Sequence, residues 1–207
     1  MDLYQFTQDL ADRFPLDGPG WPFTCHGSPF DCPVFLVGLN PVTDTPFRPF
    51  WDPSYGFDKY GWLDECRRRS SDGDLPTTRQ KLEWIGEGAE EYGVRCLETN
   101  VYTPATRRYR DLTAEGRSTD VFDFLLNELQ PGVIFVHGND AIDCIGSLTG
   151  TALELQRSLQ ASSEFVRVQL FYGDVDVLPS PHLSRKWSKD ACHGLGRRLA
   201  ERVRGLG

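Results

Sequence analysis

Four short stretches of the chain carry side chains that could do chemistry on a polar ligand. Gly38-Leu39-Asn40-Pro41, Glu98-Thr99-Asn100-Val101-Tyr102-Thr103-Pro104 and Leu178-Pro179-Ser180-Pro181-His182-Leu183-Ser184-Arg185 each carry an apolar run into a polar turn, and Arg48-Pro49-Phe50-Trp51 sets two rings in an otherwise polar loop. The amides of Asn40 and Asn100 both donate and accept, so they can read the edge of a flat ring or orient a water. They do not take a proton at neutral pH and cannot act as strong bases. His182 can donate to an oxygen on which negative charge develops. Taken one at a time, each stretch has a plainer reading: a tight turn with an Asn cap, a loop anchored by buried rings, a histidine holding a strand end. The chain contains no GxSxG, no P-loop and no GxGxxG after a strand, so it lacks the signatures of hydrolase elbows and nucleotide cradles.

The elements that would position these residues follow from periodicity. Leu3, Phe6, Leu10 and Phe14 stand at helical spacing and predict an amphipathic helix over 3–14. A Pro/Gly-rich stretch over 15–33 reads as irregular, and the apolar run 33–40 as a buried parallel strand. The segment 41–75 has little periodicity and reads as a long functional loop. A helix over 77–92, with Thr77 or Thr78 as N-cap, presents Leu82, Ile85, Ala89 and Tyr92 on one face. Strands follow at Val94–Thr99 and Gly132–His137, and a helix capped by Thr119 or Asp120 stands between them with Phe122, Leu125, Leu126 and Leu129 toward the core. Gly138-Asn139-Asp140 opens another helix through Leu148, and 165–172 and 175–182 read as strands joined at Gly173-Asp174, one arrangement being a hairpin. A final helix spans roughly 188–204. Helices alternating with short apolar strands imply an α/β fold: a three-layer α/β/α domain over 1–207 with a mainly parallel central sheet of about four strands. Ligands bind such sheets outside the carboxyl ends of the strands, which is where Asn40, Asn100 and His182 fall.

Composition narrows the class. The 207 residues are 39% hydrophobic and 25% charged, ordinary for a globular domain, and no run of apolar residues is long enough to cross a membrane. The acidic, amphipathic N-terminus does not read as a signal peptide, so a cytoplasmic location is expected. Six cysteines stand without a CxxC pair; Cys25 and Cys32 give only a weak hint of a metal site, and buried free thiols are the expected reading. A net charge of −8 argues against a protein that coats nucleic acid, since phosphate neutralisation supplies most non-specific affinity. Local basic runs remain at Arg67-Arg68-Arg69, Arg107-Arg108-Tyr109-Arg110 and Arg185-Lys186-Trp187-Ser188-Lys189, the last two directly after two of the four stretches.

Together, the order and placement of the four stretches resemble the uracil-DNA glycosylase superfamily, over roughly residues 33–200. Gly38-Leu39-Asn40-Pro41 looks like the Gly-x-Asn-Pro turn of its mismatch-specific and single-strand-selective branches. Pro49-Phe50 is similar to the Pro-Phe that sets a ring against an extruded base. Thr99-Asn100-Val101 is similar to the strand-end Thr-Asn-Val whose Asn reads uracil, residues 133–141 resemble the next strand and its turn into a helix, and His182-Leu183-Ser184 matches His-Pro-Ser at two positions. Val42 stands where a Gly usually follows Asn-Pro, Leu183 replaces the motif's Pro, and the cysteines do not show the iron–sulfur branch's spacing.

The resemblance implies a monofunctional DNA glycosylase of base excision repair, which hydrolyses the N-glycosidic bond of uracil or another deaminated base after flipping it out of the helix. It implies Asn40 as the residue orienting water, His182 as the donor to the base's O2, and Gly38, Leu39, Phe50 and Asn100 as the base-binding wall, with Phe50 stacking on the base. Leu183 would wedge the base stack, while Ser184, Arg185, Lys186, Arg107 and Arg108 would contact DNA. No metal or other cofactor is expected. The expected partner is DNA carrying a damaged or deaminated base, bound by a monomer away from any membrane. The rival expectation is a protein of the same fold that binds a nucleobase, nucleotide or damaged DNA without cutting; a small-molecule α/β hydrolase lacks motif support.

Overall fold

The computed structural model describes residues 1–106, 109–151, 153, 164–184 and 187–205. Its frame is a six-stranded, mostly parallel sheet between helices. Strands β1 (Phe23–Thr24), β2 (Val34–Gly38), β5 (Cys96–Asn100), β6 (Val133–His137), β7 (Val166–Leu170) and β8 (Gly173–Ser180) lie in the order β1-β5-β2-β6-β8-β7. The four inner strands run parallel, while β1 pairs antiparallel with β5 and β7 with β8. The sheet has more strands than the expected four or so: the strands read over 165–172 and 175–182 form the β7–β8 hairpin, and the edge strand β1, only two residues long, lies in the stretch read as irregular. A separate small ribbon pairs β3 (Trp51–Asp52) with β4 (Gly56–Phe57).

Alternation along the strands sends side chains to two apolar layers. Phe35, Val37, Leu97, Ile134 and Val136 face α1 (Leu3–Ala11), α4 (Asp120–Leu129) and α5 (Asn139–Thr149), joining Phe6, Leu10, Phe122, Leu125 and Ile142. Val34, Leu36, Cys96, Val133 and Phe135 face α3 (Thr77–Glu90) and α6 (Lys189–Val203), joining Leu82, Ile85, Ala89, Leu195 and Leu199. Helix α3 is capped one residue earlier than expected: Pro76 is the N-cap, a position from which its ring cannot offer a side-chain hydrogen bond. Thr119 caps α4 and Ser188 caps α6, the latter accepting from Ala191 N–H at 3.2 Å.

The segment 41–75 is not the open loop that its sequence suggests. It contains α2 (Lys59–Arg69), capped by Asp58, whose carboxylate accepts from Gly61 N–H at 3.0 Å. The arginines of its last turn pair within the segment, Arg67 with Asp64 and Arg68 and Arg69 with Glu65, so that basic run is a helix end rather than a phosphate patch. Phe47 and Trp51 are buried in an aromatic cluster with Phe23 and Phe57; Phe47 stacks on Phe57 at 5.1 Å and on Trp51 at 5.6 Å. The plainer reading of Arg48-Pro49-Phe50-Trp51, a loop anchored by its rings, holds for these two.

Candidate functional site

The tips of the parallel strands open into a cavity of about 600 Å³, within the range of small-molecule sites. Backbone hydrogen bonds stitch its rim. Val101 and Tyr102 N–H donate to the carbonyls of Gly38 and Leu39, Thr106 N–H donates to Pro41, and Gly138 N–H donates to Ser180. The exits of β2 and β5, and those of β6 and β8, are thereby locked in pairs. Gly38, Leu39, Asn40, Asn100, His137 and His182 all line the cavity, so it brings together Asn40, Asn100 and His182 from three separate strand tips.

Asn40 is oriented by its own amide. Its Nδ2 donates to the Thr106 carbonyl at 2.8 Å, Thr106 Oγ1 at 3.0 Å and the Pro41 carbonyl at 3.1 Å. Two of these partners are carbonyls, which only accept, so the nitrogen must face them and Oδ1 is left as the acceptor for a water or ligand.

Asn100 ends β5 beside Gly38, the two being register partners. A Cβ at residue 38 would stand 2.7 Å from Asn100 Oδ1 and 3.4 Å from His137 Nε2, so glycine is what allows these side chains to close over the strand from both sides. Asn100 is buried, and its Nδ2 has no partner. The same is true of His137 Nδ1 and of Trp21 Nε1, both in the cavity wall. Nine such atoms occur among the described residues, and these three belong to side chains that line the cavity.

His137 was not among the expected site residues. It ends the apolar run Val133-Ile134-Phe135-Val136, where it reads as the last residue of a buried strand; its placement at a strand tip beside the other motifs was the available signal. Burial first, and then the charges of His182 and Arg79, push its imidazole down to about 3, so it is neutral. Its ring meets that of His182 edge-on at 5.3 Å.

His182 is exposed at the mouth. Ser184 N–H donates to its Nδ1 at 3.1 Å, and the Ser184 hydroxyl lies 2.9 Å from the same atom. Nδ1 is therefore an acceptor, and the neutral ring carries its proton on Nε2, the tautomer a donor to a ligand oxygen needs. Gly138, at φ +94°, faces His182, and a Cβ there would stand 3.2 Å from its Cδ2. Ser184 thus positions His182 by direct contact.

Other expected residues fall elsewhere. Phe50 does not line the cavity: it sits in a 3-10 turn, half-buried against the core, where a Cβ on Gly61 of α2 would meet its Cδ1 at 3.3 Å. The rings of the wall are instead Trp21 and Tyr109. Leu183 cannot wedge a base stack, because it is fully buried against α3 and α6, with its carbonyl accepting from Lys81 Nζ at 2.7 Å. Its side chain replaces the expected proline by filling the lower core. Arg107, Arg108, Arg185 and Lys186 lie outside the described residues.

Beyond Asn100 the cavity reaches an ionic cluster. Glu98, buried at the centre of β5, pairs with Arg79 and lies 3.0 Å from Lys59, which is also 3.0 Å from Glu83. The Arg79 guanidinium lies over the rings of Trp62, at 4.8 Å, and Trp21, at 5.2 Å. The Thr99 hydroxyl donates to the Pro22 carbonyl at 2.7 Å and fixes the segment that carries Trp21.

The described residues contain no group of three or more His, Cys, Asp or Glu placed to hold a metal ion, and no helix long and apolar enough to cross a membrane. All six cysteines are free; Cys25 and Cys32 lie against each other, a contact that, with burial, holds the Cys32 thiol well above its usual range. No family model matches the chain, and no curated protein matches it either.

Proposed function

We propose that the protein is a DNA glycosylase that takes a flipped, deaminated base into the strand-tip cavity and hydrolyses its N-glycosidic bond. The observation that carries this reading is the convergence of Asn40, Asn100, His137 and His182 on one cavity whose buried Asn100 Nδ2 and His137 Nδ1 lack partners. Asn100 offers a donor and an acceptor to the edge of a lactam base; a base with the opposite pattern would leave buried groups unpaired, which is the strong form of discrimination. His182 Nε2–H donates to the base oxygen as the C1′–N bond breaks and its electron pair moves onto the base. Asn40 Oδ1 accepts a hydrogen bond from the water that adds to C1′, orienting it, and the proton that water loses goes to solvent. Since the amide is no base, the rate gain comes from positioning and from stabilising the leaving anion. Flipping costs a few kcal/mol, least at mismatches or in single strands. The family resemblance of the motifs points the same way.

A second reading, a binder of nucleobases or damaged DNA that does not cut, is favoured by the net charge of −8 and by exposed Asp140 at the cavity wall. The two separate in an assay of labelled single-stranded and duplex oligonucleotides carrying uracil, hypoxanthine or xanthine, followed by alkali. Alkali-labile sites made by the wild type and lost in an Asn40→Ala, His182→Ala double variant support the glycosylase; intact strands from folded wild type, with retained oligonucleotide binding, support the binder.

A further inference from the structure

A donor to a ligand oxygen works only if its ring is held, yet His182 stands exposed in the turn after β8. Part of what holds it begins outside the cavity. Lys81 lies in α3 and does not line the cavity. It is 6% exposed, and its Nζ donates to the Leu183 carbonyl at 2.7 Å, a contact between residues 102 apart in sequence. Taking an ammonium group out of water is costly unless it is hydrogen-bonded, so a buried lysine that reaches this carbonyl fixes the carbonyl's direction.

The Leu183 carbonyl and the Ser184 N–H are the two ends of one peptide group, which is planar and trans. Ser184 N–H is also the group that donates to His182 Nδ1, at 3.1 Å. Fixing the carbonyl on one side of that plane therefore aims the N–H on the other. The bonds run in series: Lys81 Nζ–H to the Leu183 carbonyl, then Ser184 N–H to Nδ1, which leaves the proton of the neutral His182 ring on Nε2. A cationic donor on the carbonyl also polarises the amide and strengthens its N–H as a donor. Leu183 takes part through its backbone carbonyl, which any residue at that position supplies, while its side chain fills the core against α3 and α6.

We infer that Lys81 is a positioning residue for His182: through the peptide group joining Leu183 to Ser184 it holds the ring in the tautomer that carries its proton on Nε2. The importance of that tautomer rests on the proposed role of His182 as donor to the leaving base, but the tautomer itself is a property of the protein alone. The Ser184 hydroxyl, 2.9 Å from Nδ1, is a second group at the same atom. It supplies the internal comparison, because a hydroxyl can turn to donate or accept, whereas an amide N–H only donates.

Nitrogen NMR of the histidine rings in the full chain, recorded well above pH ~6.5 where an imidazole is ordinarily neutral, reads the tautomer directly. The His182 signal is the one missing from His182→Gln. Wild type should show Nδ1 bare and Nε2 protonated. Lys81→Met, which keeps a long side chain and removes the donor, should move His182 toward a mixture of tautomers, and Ser184→Ala should keep the Nε2–H form. If Lys81→Met does not fold, Lys81→Gln, a shorter and neutral donor, should show the same drift. In excision kinetics kcat of the Lys81 variant should fall by about 10–100-fold while KM changes less than about twofold. A His182 signal unmoved by the Lys81 substitution, or loss of the Nε2–H form in Ser184→Ala alone, would overturn the inference. The two ideas fail separately: a tautomer drift without excision by wild type keeps the role of Lys81 and removes the glycosylase, whereas excision by wild type with an unmoved His182 signal keeps the glycosylase and removes the role of Lys81.

Discussion

Asn100 and His137 close on the same point from opposite sides of β2: Oδ1 of one and Nε2 of the other lie 2.7 and 3.4 Å from where a Cβ of residue 38 would stand. Glycine at that position is thus a condition of the site and only secondarily of the fold. Gly38→Ala should displace Asn100, cost about 1–3 kcal/mol of stability by overpacking, and abolish base excision in protein that still unfolds cooperatively. Thermal unfolding alongside an excision assay checks this; unchanged activity in Gly38→Ala would show that the Asn100 position is not needed.

Asn100 itself carries an unpartnered donor in a buried place, which favours the unfolded state. Asn100→Leu should therefore leave stability unchanged or raise it by up to about 1 kcal/mol while removing activity. Urea unfolding measures the first and excision the second. A loss of more than about 2 kcal/mol would mark Asn100 as structural rather than ligand-reading.

His137 makes stability depend on pH in a defined direction. Its folded imidazole titrates at about 3, mainly because it is buried and then because His182 and Arg79 carry charge nearby. The unfolded ring titrates near ~6.5. Between those values the unfolded chain holds a proton that the folded chain excludes, so this contribution is complete above ~6.5 and is lost as pH falls toward 3. In His137→Gln the unfolding free energy should fall by roughly 1.5–2 kcal/mol less than in wild type between pH 6.5 and 5. Parallel profiles for the two proteins would contradict the burial of a neutral His137.

Glu98 holds two buried cations, Arg79 and Lys59. Removing one partner of a buried ion pair leaves uncompensated charge, so Glu98→Ala should destabilise by about 3–5 kcal/mol. Denaturant titration decides it, and a loss under about 1 kcal/mol would mean that the cluster is hydrated.

Leu183 provides the converse case. Fully buried against α3 and α6, it should cost about 2–5 kcal/mol on replacement by alanine. The folded fraction of Leu183→Ala should keep near-normal single-turnover excision, which a base-stack wedge could not.

Much of this was legible in the sequence, for local reasons. Runs such as Val133–Val136 and the helical spacing of Leu82, Ile85 and Ala89 record burial directly, and the three strand tips follow from where such runs stop. Helix α2 was hidden because Gly61 interrupts it and its buried face is Lys59, Trp62, Leu63 and Cys66, of which one is charged. Strand β1 is two residues long, too short for any period to show. Phe50 and Leu183 illustrate a different limit: spacing from a motif cannot tell whether a side chain turns toward the cavity or the core. His137 and Trp21 were hidden because a His ending an apolar strand and a Trp in a Pro/Gly-rich stretch look like packing residues until the sheet order sets both beside Asn100.

The central claim is tested most directly by single-turnover release of free base from a deaminated-base oligonucleotide, followed by mass spectrometry of both products. The account predicts free base and an intact abasic strand in equal amounts from wild type, with His182→Ala slower by about 10²–10³-fold. Folded wild-type protein that releases no base from any of the uracil, hypoxanthine or xanthine strands, or release that His182→Ala and Asn40→Ala leave unchanged, would contradict it.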